Sequence, residues 1–181
     1  MLEAKKAISD MLEGKKFGEA SRKIVIEEFL EGEEASFIVM VDGKNVLPMA
    51  TSQDYKRVGD GDVGPNTGGM GACSPATVIT PVIHQRIINE IIAPTVQKMA
   101  AEGNSYSGFL YAGLMISEGE PFLIEYNIRM GDPECQVLMM RLKTDLLEIL
   151  EAAATDNLKK INIEWYKEDS ITIVICARGY P

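Results

Sequence analysis

The chain has 181 residues, 46% hydrophobic and 25% charged, the make-up of one globular domain with enough apolar material for a core. Its 27 acidic against 18 basic residues leave a formal charge of −9, which excludes a surface built for nucleic acid or anionic lipid, since those partners need clustered Lys and Arg. Cys73, Cys135 and Cys176 are far apart and form no C-x-x-C, no apolar run approaches the ~20 residues of a membrane helix, and no secretory leader is visible, so a soluble protein of the reducing cytoplasm is expected.

Apolar residues at Ala4, Ala7, Ile8, Met11 and Leu12 recur at helical spacing and Gly14 ends the segment, which predicts an amphipathic helix. From Ile24 the runs IVIEEFL and ASFIVMV, joined by a charged EGEE turn and followed by Asp42-Gly43 and NVLPMA, predict an antiparallel meander. Residues 52–79 carry little periodicity and much glycine, so a long functional loop is expected there. Thr80-Pro81 gives a cap and a first-turn proline, and Ile87, Ile88, Ile91, Ile92, Val96 and Met99 predict a long helix kinked at Pro94, with His84 on its surface. The strands GFLYAGLMIS and PFLIEYN follow around Glu118-Gly119-Glu120, then a helix over 135–153 and a last strand, ITIVICA. Strands and helices joined mostly by hairpins indicate an α+β fold.

In PFLIEYN the strand period of two sends Phe122, Ile124 and Tyr126 to one face and Leu123, Glu125 and Asn127 to the other. A carboxylate and a carboxamide roughly 7 Å apart along a strand can converge on one ion, and two oxygen ligands with open positions suit Mg²⁺. Arg129 continues the alternation, where a guanidinium can neutralise a transferring phosphoryl group or an acyl phosphate. Asp132 and Glu134, around Pro133, read as caps of the helix that follows.

The string IEYNIRMGDPECQ resembles the signature of the phosphoribosylamine-glycine ligases of the ATP-grasp superfamily, E-x-N-x-R-x-G-D-P-E. The run from Gln53 to Ala72 is similar to that family's Q-D-H-K-R-x-x-D-x-D-x-G-P-N-T-G-G-M-G-A stretch. Glycines there let backbone N–H groups approach an anion, and Asn66, Thr67, Gly68, Gly69, Met70 and Gly71 are the expected substrate-binding set, with Lys56 and Arg57 as basic catalytic partners beside Arg129. Gly59, Gly61 and Gly64 also spell G-x-G-x-x-G, but no strand feeds directly into them and Pro65-Asn66 stands where a helix should begin. A calcium loop from Asp60 fails because Gly71 replaces its closing Glu. The segment IVIEEFLEGEEASF resembles the strand that passes the adenine ring in ATP-grasp enzymes, which assigns Glu27, Phe29 and Leu30 to the ATP slot and Glu34 to the ribose hydroxyls.

The resemblance implies an ATP-grasp fold, with residues 23–181 as the main, carboxy-terminal ATP-grasp subdomain, a mostly antiparallel sheet flanked by helices, and 1–22 as a remnant of the small lid. It implies an ATP-dependent ligase of purine biosynthesis using Mg²⁺ or Mn²⁺ held by Glu125 and Asn127, with glycine and phosphoribosylamine as substrates and glycyl phosphate as intermediate. Separately, a sheet without its covering domains would offer apolar surface, through which a homodimer is one expected outcome of truncation. The rival readings are an inert ATP and Mg²⁺ binder and another ATP-grasp carboxylate-amine ligase. Tyr55 and Cys73 stand where the family has His and Tyr, and Met115 lies near a place where many ATP-grasp enzymes have a further acidic ligand.

Overall fold

The computed structural model describes residues 2–14 and 17–181; residues 1, 15 and 16, within the segment assigned to the lid, lie outside the described residues. The chain divides into two compact units, residues 1–30 and 31–181.

In the first unit the expected helix forms as α1 (Leu2–Leu12), and Gly14 takes the positive φ of 70° that ends it. A 3₁₀ turn, Gly18–Arg22, follows, and the buried Ser21 hydroxyl donates to the carbonyls of Met11 and Gly18. The strand expected over IVIEEFL is not formed: residues 24–30 carry no regular structure, and Val25, Ile26 and Phe29 are exposed. A strand exists only through ladder hydrogen bonds, and among the described residues none pairs with this segment.

The second unit holds two antiparallel sheets. The first has the order β2-β1-β5-β6, built from β1 (Glu33–Asp42), β2 (Val46–Pro48), β5 (Ser107–Ser117) and β6 (Glu120–Asn127). The second has the order β3-β4-β7, from β3 (Gln53–Gly59), β4 (Val63–Ser74) and β7 (Ser170–Ile173). The apolar run of β1 is unbroken because both its faces are covered. One face, Ala35, Phe37, Val39 and Val41 with Leu110, Ala112, Leu114 and Ile116 of β5, packs on Ile83, Ile87, Ile92 and Val96. The other presents Met40 to Ile149, Ala152 and Ala153, and Ile38 and Tyr111 to Leu138.

The helix that covers the first face starts as expected, with Thr80 Oγ1 accepting from Ile83 N and Pro81 in the first turn of α2 (Pro81–Arg86). The disturbance expected at Pro94 takes the form of a π turn over Ile87–Ile92 before α3 (Ala93–Ala101), while the Ile91 carbonyl accepts from Thr95 Oγ1 and Tyr126 Oη. His84 is not a surface residue: its half-buried ring stands edge-on to Phe37, centroids 4.9 Å apart, and burial lowers its pKa.

Two more expectations are corrected. The segment 52–79 is mostly a β-hairpin rather than a loop, β3 paired with β4, although Thr67–Met70 of β4 bulge out between the pairs Tyr55–Gly71 and Arg57–Asn66. The helix expected over 135–153 is two, α4 (Glu134–Arg141) and α5 (Leu146–Ala154), because Leu142 bridges to Trp165 and Asp145 caps Leu147 N at 2.8 Å. The strand ITIVICA shortens to β7, since Gly71 is the last β4 residue paired with it before the bulge.

The turn between β1 and β2 depends on Asp42, 4% exposed, whose carboxylate accepts from the N–H groups of Asn45 and Lys44, the Asn45 amide, and Leu158 N. Burial alone would raise its pKa, but these donors together hold it below the ordinary value. Asp42→Ala is expected to cost about 1–3 kcal/mol at pH 7 by leaving these donors unpaired. A depressed folded pKa contributes stability above the unfolded value near 4 that is lost as pH falls through the folded value, so the gap between variant and wild type should shrink in acid denaturation profiles.

Candidate functional site

A cleft of about 140 Å³ is lined by Asp54, Lys56, Gly68, Tyr111, Glu125, Asn127, Arg129, Gly131, Asp132 and Glu134. Its floor is β6. Tyr111 stands opposite Asn127 and Gly113 opposite Glu125, but Leu114 then pairs with Leu123 and Met115 with Phe122, so Ile124 is an extra, bulged residue. Facing residues share a side of the sheet. The expected alternation is therefore corrected: Leu123 joins Tyr126 on the helix face, where both line a groove with Ile91 and Pro94, and Phe122 moves to the cleft face. Glu125 and Asn127 stay together, Asn127 Nδ2 lying 3.2 Å from Glu125 Oε1. Gly113 makes room for them, since a Cβ there would stand 3.2 Å from Glu125 Cγ.

The β4 bulge carries Gly68 to the cleft wall. Thr67 anchors it by donating to the Lys56 carbonyl and accepting from Gly69 N. Gly69, at φ 126°, lies against the Asp132-Pro133 turn with no space for a Cβ, and a Cβ at Gly71 would be 2.6 Å from the Thr172 carbonyl. The substrate set named from sequence is thus divided. Gly68 faces the Glu125 cleft, Asn66 lines an adjoining one of about 290 Å³ with Glu34, Lys56 and Arg57, and Met70 lies against Cys176.

Lys56 borders both clefts, its Nζ 2.7 Å from Glu34 Oε2 and 3.9 Å from Asp54. Burial, which alone would lower its pKa, is outweighed by the Glu34 bond and the charges of Asp54, Glu34 and Glu125, so it is raised and the amine stays protonated. Arg129 is exposed and donates from Nη1 to the Met130 carbonyl. Arg57 is not in the Glu125 cleft; it donates to the Gly64 carbonyl across its own hairpin. Glu27, Phe29 and Leu30 fall in the first unit, on the extended segment, with Glu27 and Phe29 exposed.

Sequence reasoning missed two acids. Glu134 does not cap α4. It is 3% exposed, its Oε1 accepts from Ser36 Oγ at 2.9 Å, and Ser36 also bonds Tyr111 Oη. Only the absence of a Cβ at Gly131 leaves space for its carboxylate. Asp132 is likewise not a backbone cap; its Oδ1 accepts from Gln136 Nε2. Asp54, with its side chain 6% exposed, is the other. Burial first, then the charges of Glu134 and Glu34, push it up to about 6 against the pull of Lys56. Its signal was its place two residues before Lys56, on the same face of a strand read as loop. Tyr55 and Cys73 bond each other, Oη to Sγ at 3.4 Å, and that bond and burial push the phenol up to about 12.

Among the described residues no group of three His, Cys, Asp or Glu is placed to hold a metal ion. The Glu125 and Asn127 pair still fits a hard cation such as Mg²⁺: both side chains line the cleft, and turning over the Asn127 amide, whose Nδ2 now donates to Glu125 Oε1, would present two oxygens, which is what such ions take when phosphates and water complete the shell.

A carboxyl group whose folded pKa lies above its unfolded one is stabilising when protonated, so the fold gains stability as pH falls from about 6 to about 4 and carries the full penalty above. Asp54→Asn is expected to raise stability at pH 7–8 by on the order of 2 kcal/mol, with the difference vanishing near pH 4 in denaturant titrations.

The family model of the phosphoribosylglycinamide synthetase ATP-grasp (A) domain matches residues 1–135. The phosphoribosylamine–glycine ligase of Vibrio vulnificus strain YJ016 is 64% identical over 180 residues, covering 99% of this chain and 42% of that protein; that of Yersinia pestis is 60% identical over the same shares. The crystal structure of phosphoribosylamine–glycine ligase from Thermotoga maritima superimposes with a TM-score of 0.79 at 34% identity, covering 98% of this chain and 45% of that one. An L-amino acid ligase from Bacillus licheniformis shares the fold, with a TM-score of 0.57 at 16% identity over 83% of this chain and 36% of its own. The chain thus spans less than half the length of the curated relatives it matches. It belongs to the phosphoribosylglycinamide synthetase ATP-grasp (A) domain family, with an α+β ATP-grasp fold.

Proposed function

We propose that this chain carries the phosphoryl- and acyl-transfer cleft of an ATP-dependent carbon–nitrogen ligase that joins glycine to 5-phosphoribosylamine in cytoplasmic purine biosynthesis. The observation that carries the reading is the convergence of Glu125, Asn127, Arg129, Lys56 and Gly68 on one cleft from β6, the segment after it, β3 and the β4 bulge. Relatives 60–64% identical over 99% of the chain bear the name of that ligase.

In this reading a glycine carboxylate oxygen attacks the γ-phosphorus of ATP and ADP leaves. The amine then attacks the carbonyl of glycyl phosphate, the C–O bond to phosphate breaks, and one proton is released with the amide formed. Lys56 and Arg129 neutralise the anionic groups and fix their approach. The β4 bulge brings the Gly68 backbone to the wall of the same cleft, where the absence of a side chain lets an anion approach the main chain. Glu125 and Asn127 would hold Mg²⁺ or Mn²⁺, which when bound offsets phosphate charge. Glu27, Phe29 and Leu30 line the adenine slot, Glu34 accepts from the ribose hydroxyls, and residues 1–22 belong to the smaller lid subdomain.

A ligand bound only by the folded state stabilises it by mass action. At about 100 times Kd, Mg²⁺-ATP is expected to add about 2.7 kcal/mol, a rise in Tm of roughly 5–10 °C for a chain of this size. Glu125→Ala should abolish the rise. A shift of equal size in the variant, or none in the wild-type chain, would remove the support for this site.

A further inference from the structure

The side chain assigned to the ribose and the cation assigned to catalysis are bonded to each other. Lys56 Nζ donates to Glu34 Oε2 at 2.7 Å, with Asp54 at 3.9 Å as its second acidic neighbour. Lys56 is also a shared wall: it borders the cleft of Glu34 and Asn66 on one side and that of Glu125, Asn127, Arg129 and Gly68 on the other. An anionic group entering the second cleft meets the carboxylates of Asp54, Glu125, Asp132 and Glu134. The other cation lining it, Arg129, is exposed and directs Nη1 to the Met130 carbonyl. Coulomb repulsion from uncompensated carboxylates disfavours an anion there unless a further positive charge comes forward. Lys56 can supply it, because its ammonium sits on a flexible four-carbon stem. Its bond to Glu34 is easily exchanged, the two side chains being 33% and 38% exposed.

We propose that the Glu34–Lys56 ion pair is a latch that holds the ammonium at the wall of the Glu125 cleft, directed to Glu34, until another donor takes Glu34, whereupon Lys56 turns to an anionic group in that cleft. Glu34 is a positioning residue that acts through Lys56. The identity of the displacing donor, a nucleotide hydroxyl, rests on the function proposed above; the latch itself is tested without a nucleoside.

The test is calorimetric titration of inorganic tripolyphosphate into the wild-type chain, Glu34→Gln, Lys56→Gln and the double variant at neutral pH. Glu34→Gln is expected to bind about three- to fivefold tighter, the fold-change matching loss of one weak competing ion pair. Lys56→Gln should bind more weakly, and Glu34→Gln should add nothing in the Lys56→Gln background. Equal tightening in both backgrounds would mean that removal of a negative charge acts at a distance, and would overturn the latch. So would binding by Glu34→Gln no tighter than wild type, including none at all. In the wild-type chain, NMR of the Lys56 Cε group during the same titration should show it shifting; an unmoved Lys56 beside a responding Arg57 would count against the proposal. A failed Mg²⁺-ATP shift together with the expected cycle would reject the nucleotide reading and leave the latch standing.

Discussion

The bulge at Ile124 lets one strand serve two different surroundings. It turns Leu123 and Tyr126 to the helix side, where they line a groove with Ile91 and Pro94, and Glu125 and Asn127 to the other side, toward polar residues of β3 and α4. Strict alternation would place Leu123 beside Glu125, on the cleft side, because the side-chain period of a strand is two. One extra residue resolves the conflict by moving Leu123 across the sheet, and the local kink leaves Glu125 over Gly113, where no side chain competes for the space. The cleft is thus a consequence of β5 and β6 register, with the second sheet and α4 closing it.

The closing contact is made by glycines. Gly69 lies against Asp132-Pro133 and Gly71 against Thr172, each without space for a Cβ, so the β4 bulge, the turn after β6 and strand β7 approach more closely than side chains would allow. The same substitution of hydrogen for side chain explains why this hairpin was illegible in the sequence. A strand is recognised by alternation of side chains, and the run from Gly64 to Gly71 has few to alternate. The motif residues were legible, but as a loop, and their division among two clefts and three packing contacts was not.

Elsewhere legibility followed whether a signal was local. The Thr80-Pro81 start of α2 and the β5–β6 hairpin rest on neighbours in sequence, and both formed as expected; positive φ at Glu118 and Gly119 closes that hairpin. IVIEEFL carries strand composition yet no strand, because pairing is a tertiary matter. Glu134 and Asp54 were misjudged for a related reason: a buried acid is distinguished by its partners, Ser36 from β1 for the one and Lys56 under competition from Glu34 for the other, and neither is visible from composition. Tyr55 and Cys73, two separate departures from the family pattern in sequence, are a single contact in space.

The central claim is that the β6 cleft receives the metal and nucleotide phosphates. Paramagnetic broadening of backbone amides by Mn²⁺ in the presence of ADP tests it most directly, because the effect falls steeply with distance from the ion. The expected result is selective loss of the Glu125, Asn127, Gly113 and Gly68 signals while Val96 and Lys98, on the opposite side of the sheet, keep theirs. Broadening centred on any other part of the chain, with Glu125 and Asn127 spared, would contradict it.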